Sequence, residues 1–189
     1  MAKVISTPTA AFRGKLGGMV FSQQPDGTTT VRSAWQKAGR STPGEKKSQH
    51  RMTLGNLYVR GVLKDPAAVA EYAPVAERRK VRVRDAAMSD YMTDPVILDV
   101  DANWYHGQPG DAILVITGDD FKVVHVSVVL RSSSGPRVEE GSATPQGASS
   151  QVWTYAAQTQ RAQGEELIIE VTATDRCGNS TLKMVPHEI

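Results

Sequence analysis

Glu165-Glu166-Leu167-Ile168-Ile169-Glu170-Val171-Thr172-Ala173-Thr174 is the stretch on which the fold reading turns. Leu167, Ile169, Val171 and Ala173 alternate with Glu170, Thr172 and Thr174 at a period of two. A strand sends successive side chains to opposite faces, so this segment has one face to bury and one to wet. The same alternation runs through 121–130. There Val124, Val126, Val128 and Leu130 are expected on one face, with Val123, His125, Ser127 and Val129 on the other. Trp153 and Tyr155 share a face two residues apart and supply bulk for a core.

Working outward, seven strands are expected, at 96–101, 112–117, 121–130, 137–142, 151–157, 165–174 and 180–185. Turns containing Gly, Pro, Asp or Asn separate most of them. Seven short strands in about 90 residues are the pattern of an immunoglobulin-like β-sandwich. Cys177 is the one cysteine, so no intrachain disulfide forms and only the broader architecture is implied.

The preceding part reads differently. Gly14-Lys15-Leu16-Gly17-Gly18 leads into Met19-Val20-Phe21-Ser22, and Pro25-Asp26-Gly27 signals a turn before Thr28-Thr29-Thr30-Val31. A β-hairpin pairing 19–24 with 28–33 follows from this. An isolated hairpin is marginal in water, so it must lean on a helix, a second copy or an assembly. Thr42, Pro43 and Glu45 form a helix-start signal. Met52, Gly55, Val59 and Val62 then recur at helical spacing, flanked by Leu54 and Tyr58, which predicts a helix over 43–63. His50, Arg51 and Arg60 lie off that stripe. Asp65-Pro66 repeats the start signal for a short helix over 67–76. Residues 77–84 read as basic and partly alternating, and 85–92 as one or two helical turns. The fold class is α+β overall: a basic hairpin-and-helix region over 1–92 and an all-β module over 93–189.

Charge follows the same division. Residues 1–92 hold 16 Lys and Arg against 7 Asp and Glu, a net +9; residues 93–189 hold 6 against 13, a net −7. The whole-chain value of +2 conceals this. Such sorting speaks of partners rather than fold. The basic interaction surface is expected from Arg13, Lys15, Arg32, Lys37, Arg40, Lys46, Lys47, Arg51, Arg78, Arg79, Lys80, Arg82 and Arg84. An acidic protein surface or copies of the chain itself are the expected partners. Nucleic acid is the alternative, through phosphate contacts without sequence readout, since no reading helix, zinc finger or aromatic platform accompanies the charge.

Chemistry-bearing motifs are sparse. Gly14–Gly18 has its lysine ahead of the glycine pair and a β-branched segment after it, which is not a Walker loop. His50, His106, His125 and His187 form no HExxH and no compact ligand spacing; GxSxG is absent. Asp99-Val100-Asp101-Ala102-Asn103 opens like an EF-hand, but Trp104 and Gly110 occupy the positions that need Gly and Glu. Asp119-Asp120 and Asp175 through Asn179 lie in loops that are expected either to close turns or to meet at one pole around calcium. No cofactor, metal or catalytic residue is assigned, and the expectation is a protein that is not an enzyme. Exposed Trp104 or Tyr105 would serve a glycan- or protein-binding module. No apolar run reaches the roughly 20 residues needed to span a bilayer, and no secretory h-region is read at the N-terminus. Cytoplasmic synthesis without membrane insertion is expected, with incorporation into a larger particle left open.

Two sets of words carry a resemblance. Phe12 through Phe21, Thr30-Val31-Arg32-Ser33, and the helix with Gln49, Arg51, Leu54 and Leu63-Lys64-Asp65-Pro66 resemble bacterial and phage-associated proteins that open with a glycine-rich basic hairpin and a helix. Gly118-Asp119-Asp120-Phe121-Lys122-Val123, Glu139-Glu140-Gly141-Ser142-Ala143 and Thr174-Asp175-Arg176-Cys177-Gly178-Asn179 resemble an immunoglobulin-like module that follows in some of them. Cys177 stands where similar turns often carry Pro. The resemblance implies a two-part architecture; the +9/−7 division, the sandwich pattern and the recurrence of immunoglobulin-like modules in phage capsids and tails add the expectation of a noncatalytic structural or interaction protein, such as a phage virion component. It attaches no biochemical activity.

Overall fold

The computed structural model describes residues 2–4, 13–24, 27–34, 42–147 and 151–189. Phe12, Pro25, Asp26, Lys37 and Arg40 lie outside them. The chain divides into two compact units, Met1–Met92 and Thr93–Ile189.

In the first unit the hairpin is present and is half of a larger sheet. Strands β1 (Ala2–Val4), β2 (Gly14–Leu16), β3 (Met19–Gln23) and β4 (Thr29–Ser33) form an antiparallel sheet in the order β1-β4-β3-β2. Gly17, at φ +57, makes the β2–β3 turn that a side chain would strain.

Three helices follow. Helix α1 (Pro43–Lys64) begins with a complete capping box. Thr42 Oγ1 accepts from the Glu45 amide at 3.2 Å, and Glu45 Oε2 accepts from the Thr42 amide at 2.7 Å. Gly55, Val59 and Val62 are its buried residues, whereas Met52 and Leu54 are exposed, so the buried stripe is narrower than the sequence suggests. Gly55 is there for space. A Cβ at this position would sit 2.9 Å from Met88 Sδ and 3.0 Å from the Tyr91 ring. Asp65 ends α1 and caps α2 (Pro66–Arg79), accepting from the Ala67 amide at 3.0 Å. Residues 77–79 thus continue a helix, and the alternating valines beyond them are not a strand: Val83 opens α3 (Val83–Met92). The centre of the bundle is polar as well as apolar. Tyr72, buried in α2, meets Tyr58 Oη at 2.8 Å and donates to the buried Asp90 carboxylate.

The second unit holds two four-stranded antiparallel sheets. One has the order β5 (Val96–Asp101), β6 (Ala112–Gly118), β10 (Val152–Ala156), β9 (Thr144–Pro145). The other runs β12 (Ser180–Glu188), β11 (Glu166–Asp175), β7 (Val123–Ser132), β8 (Arg137–Ser142). Inward residues of both sheets form one buried cluster, including Ile113, Val115, Trp153 and Tyr155 from the first and Val126, Val128, Leu130, Leu167, Ile169, Val171 and Ala173 from the second. The alternation of β11 is as expected. That of β7 is not. Thr174 pairs with His125 and Asp175 with Val123, so Val124 is the extra residue of a β-bulge. The bulge reverses the phase at the strand's start: Val123 is buried and Val124 is 46% exposed. A second bulge extrudes Leu98, so that Ile97 and Val100, three residues apart, both face inward. Strand β9 was not foreseen. Only Ala143 separates it from β8, and there the chain passes from one sheet to the other.

The edges are tied. From β12, Thr181 Oγ1 donates to the Pro95 carbonyl at 2.5 Å, Lys183 Nζ to the Leu98 carbonyl at 3.1 Å and His187 Nε2 to the Tyr105 carbonyl at 2.9 Å. These three alternate residues latch the edge of one sheet to the β5 side of the other. Across the molecule, Glu139 of β8 is 7% exposed and accepts from Tyr155 Oη at 2.5 Å, the Gln158 amide at 2.7 Å, the Thr159 amide at 3.0 Å and the Thr159 hydroxyl. Burial alone would raise its carboxyl; the hydrogen bonds outweigh burial and hold it below the ordinary value of 4.5. Gly141 leaves room for this arrangement, since a Cβ there would lie 2.7 Å from the Tyr155 ring.

Candidate functional site

The basic residues fall into three groups within the first unit. On the sheet, register places Lys15 across from Val20 and Val20 across from Arg32, so the two cations share one face. Leu16 and Met19 pair on the opposite face, and both side chains are largely exposed. Arg13 precedes β2 and is exposed. On α1, Lys46 and Lys47 are exposed in the second turn, while Arg51 is half-buried. Lys37 and Arg40 lie outside the described residues.

The third group is the densest. Arg78, Arg79, Lys80, Arg82 and Arg84 are all exposed and occupy the junction of α2 with α3. Helix α2 ends in the paired bonds of a Schellman motif, the Lys80 amide to the Glu77 carbonyl at 3.0 Å and the Val81 amide to the Ala76 carbonyl at 2.9 Å. That ending needs a left-handed residue, and glycine normally supplies it. Here it is Lys80, at φ 54 and ψ 44, the one non-glycine residue with positive φ among those described. A side chain in this conformation costs about 1–2 kcal/mol relative to the right-handed region.

The next two cations also oppose their local setting. The Arg82 carbonyl accepts from the Ala86 amide at 3.0 Å, which places Arg82 immediately before α3 and Arg84 in its first turn. The positive end of the helix dipole disfavours cations there by about 0.3–1 kcal/mol each. Each has a local restraint. Arg82 grips Asp85 through Nε at 2.7 Å and Nη2 at 3.1 Å, and that contact holds its guanidinium above its ordinary value. Arg84 Nη2 donates to Asn56 Oδ1 on α1 at 3.1 Å. Arg78 and Arg79, by contrast, complete the last turn of α2, where cations are favoured. The sequence reading identified these five residues from charge alone; the left-handed lysine leaves no mark in a sequence, because lysine is not a residue from which that conformation is inferred.

The acidic residues of the second unit are arranged differently. Asp111 accepts from the His106 amide at 2.7 Å and the Gln108 amide at 2.9 Å, and these bonds lower its carboxyl. Asp101 accepts from the Asn103 amide at 2.9 Å. Arg131 holds Glu170 at 2.7 Å, and Arg137 holds Glu140. At the pole where turn closure and calcium binding are the alternatives, the two loops do adjoin, because Val123 pairs with Asp175. Buried Asp175 accepts from the Asn179 amide at 2.8 Å and from its Nδ2 at 2.7 Å, closing its own turn. Burial raises the carboxyl of Asp119, and nearby Asp175 raises it further, against the backbone N–H groups of Asp120, Phe121 and Lys122. Lys122 Nζ and the Arg176 guanidinium lie 5.5 Å and 6.0 Å from the Phe121 ring centre. The turn-closing role is the one this geometry supports.

The remaining candidates separate. His125 Nε2 meets Ser142 Oγ at 3.0 Å across β7 and β8, His187 bonds Tyr105, and His50 and His106 are exposed on α1 and in the β5–β6 loop. Cys177 is half-buried in the β11–β12 turn. Of the two aromatics expected on a binding surface, Trp104 is 65% exposed but Tyr105 is 1% exposed, with burial as the main cause pushing its hydroxyl up to about 12. Among the described residues, no helix is long and apolar enough to cross a membrane.

No protein-family model matches the chain, and no curated protein does. Among solved structures, the chain is similar to CopC from Methylosinus trichosporium OB3b, at 19% identity and a TM-score of 0.36. That alignment covers 50% of this chain and 89% of CopC. It is also similar to a DUF4426 family protein from Pseudomonas aeruginosa PAO1, at 15% identity and a TM-score of 0.37, over 51% of this chain and 89% of that one. Likeness at these TM-scores fixes neither fold family nor function.

Proposed function

We propose that the chain is a noncatalytic structural or interaction protein, a component of a phage virion or related particle, that anchors to an anionic partner through residues 1–92. One observation carries this reading. Exposed cations of the first unit cluster at the α2–α3 turn, three of them (Lys80, Arg82 and Arg84) against local energetics, whereas acidic groups of the second unit are engaged in its own turns, edges and core. The second unit then acts as a stable body, and we read it as an immunoglobulin-like sandwich. What supports that finer reading is strand order. The order β5-β6-β10-β9 against β12-β11-β7-β8 corresponds to A-B-E-D against G-F-C with one added strand.

The test is isolation of native particles from cells that make the protein, followed by stoichiometry. A fixed, repeated copy number that survives gradient purification is expected. Absence from every such particle would remove the particle reading. A variant reversing Arg78, Arg79 and Lys80 should be depleted from particles while remaining folded.

A further inference from the structure

We infer that residues 78–84 form an anchor for the phosphate backbone of nucleic acid, with Lys80 held in a left-handed conformation to keep an ammonium at the turn. This rests on the anionic-anchor reading above and names the partner class for that surface. Two features carry it beyond a solvated basic patch. First, Schellman endings favour glycine, and a lysine there carries a conformational penalty that glycine would avoid. Second, Arg82 and Arg84 occupy the end of α3 where the helix dipole repels them, each braced by a side chain, Asp85 or Asn56. A solvated patch needs neither arrangement. The turn therefore maintains its cations at the expense of fold stability, the expected mark of a functional surface.

The charge pattern selects the partner. Five of seven consecutive residues are cationic, and four of those five are arginine. The guanidinium fork donates paired N–H bonds to phosphate oxygens. Duplex DNA carries one charge per about 1.7 Å of axis, a continuous row of anions to which a run of clustered cations is complementary in sign. A protein surface intersperses its carboxylates with other groups. Of the thirteen acidic residues in the second unit, Asp101, Asp111, Glu139, Glu170 and Asp175 already have partners within it, which leaves a second copy with a thinner and more dispersed set of carboxylates to offer. The contacts predicted are to phosphates, so binding is indifferent to base sequence.

The experiment uses the full chain, a mixed-sequence DNA duplex as probe and poly-glutamate as a second polyanion. Fluorescence anisotropy is read from about 50 to 200 mM salt, where phosphate binding declines steeply. Lys80→Gly should raise the Tm of the 1–92 transition by about 4–8 °C, the shift that about 1 kcal/mol makes in a unit of that size. It should also weaken duplex binding at about 50 mM salt by about threefold to tenfold and make the salt slope shallower by about 1. Arg78→Gln should change the slope similarly with Tm unmoved, and it decides the matter if Lys80→Gly lowers both readouts. A Lys15→Gln, Arg32→Gln double variant should leave the slope as in wild type. Duplex binding that both turn variants leave intact overturns the inference, as does binding that only the sheet variant abolishes. Poly-glutamate bound as tightly as the duplex also overturns it but leaves the anionic-anchor reading standing. Binding to neither polymer removes both.

Discussion

The two units of this chain treat charge in opposite ways. In the first, Arg82 and Arg84 stand where a helix dipole repels them and Lys80 where its backbone is strained. In the second, Glu139 is drawn into the interior and satisfied by four donors. One unit accepts instability to expose charge; the other uses charge to fasten itself. The contrast separates a surface whose charge works against its local backbone and helix dipole from a body whose charge is bonded within its own fold. Net charge alone could not have drawn that line, since +9 and −7 are of similar size.

The strongest attack on the comparison is to remove the buried carboxylate. Glu139→Ala leaves the Tyr155 hydroxyl, two amides and the Thr159 hydroxyl without their acceptor, and should cost about 3–5 kcal/mol. Urea unfolding should show the loss in the transition of residues 93–189, with that of 1–92 unmoved. Gly141→Ala presses on the same Tyr155 ring and should cost about 1–3 kcal/mol. Its effect combined with that of Glu139→Ala should fall short of the sum, because both disturb one contact.

Tyr72→Phe asks whether the first unit also has an interior that matters. It deletes the hydroxyl shared by Tyr58 and Asp90 and should cost about 1.5–3 kcal/mol, read in the other transition. A finer test is pH. The Glu139 carboxyl lies below its ordinary value of 4.5 in the folded chain. The corresponding stabilisation is complete above that value and is lost as pH falls through the lower, folded one. Wild type should therefore lose stability more steeply on acidification than Glu139→Gln, measured by thermal melts across that range. The smallest expected effect is at the surface. Arg78→Ala should move stability by no more than about 0.5 kcal/mol. A larger loss would mean that the turn serves the fold and not a partner.

Much of the architecture was legible because its signals are local. The box of Thr42 and Glu45 started α1, Asp65-Pro66 started α2, and the bounds of β5 and β8 followed from alternation and turns. The failures are those of register and conformation. Val123 and Val124 are equally apolar, so sequence could not show which one a bulge ejects. Gly14-Lys15-Leu16 reads as a turn, and only pairing with β3 makes it a strand. Residues 77–84 alternate weakly, and helix propensity across Glu77-Arg78-Arg79 prevailed. For the candidate surface, the cations were readable but the strain at Lys80 was not, since it is a property of the backbone. Glu139 lies in a polar word, Glu139-Glu140-Gly141-Ser142, and burial distinguishes it from its neighbour only once the sheets are assembled.

The latch from β12 to the β5 side has a consequence for crowding. Bare strand margins recruit strands from other molecules, and repeated copies held close together would be the worst case. With Thr181, Lys183 and His187 occupying carbonyls along that seam, the margin is already engaged by its own chain. Those three carbonyls are thereby closed to strands from other molecules.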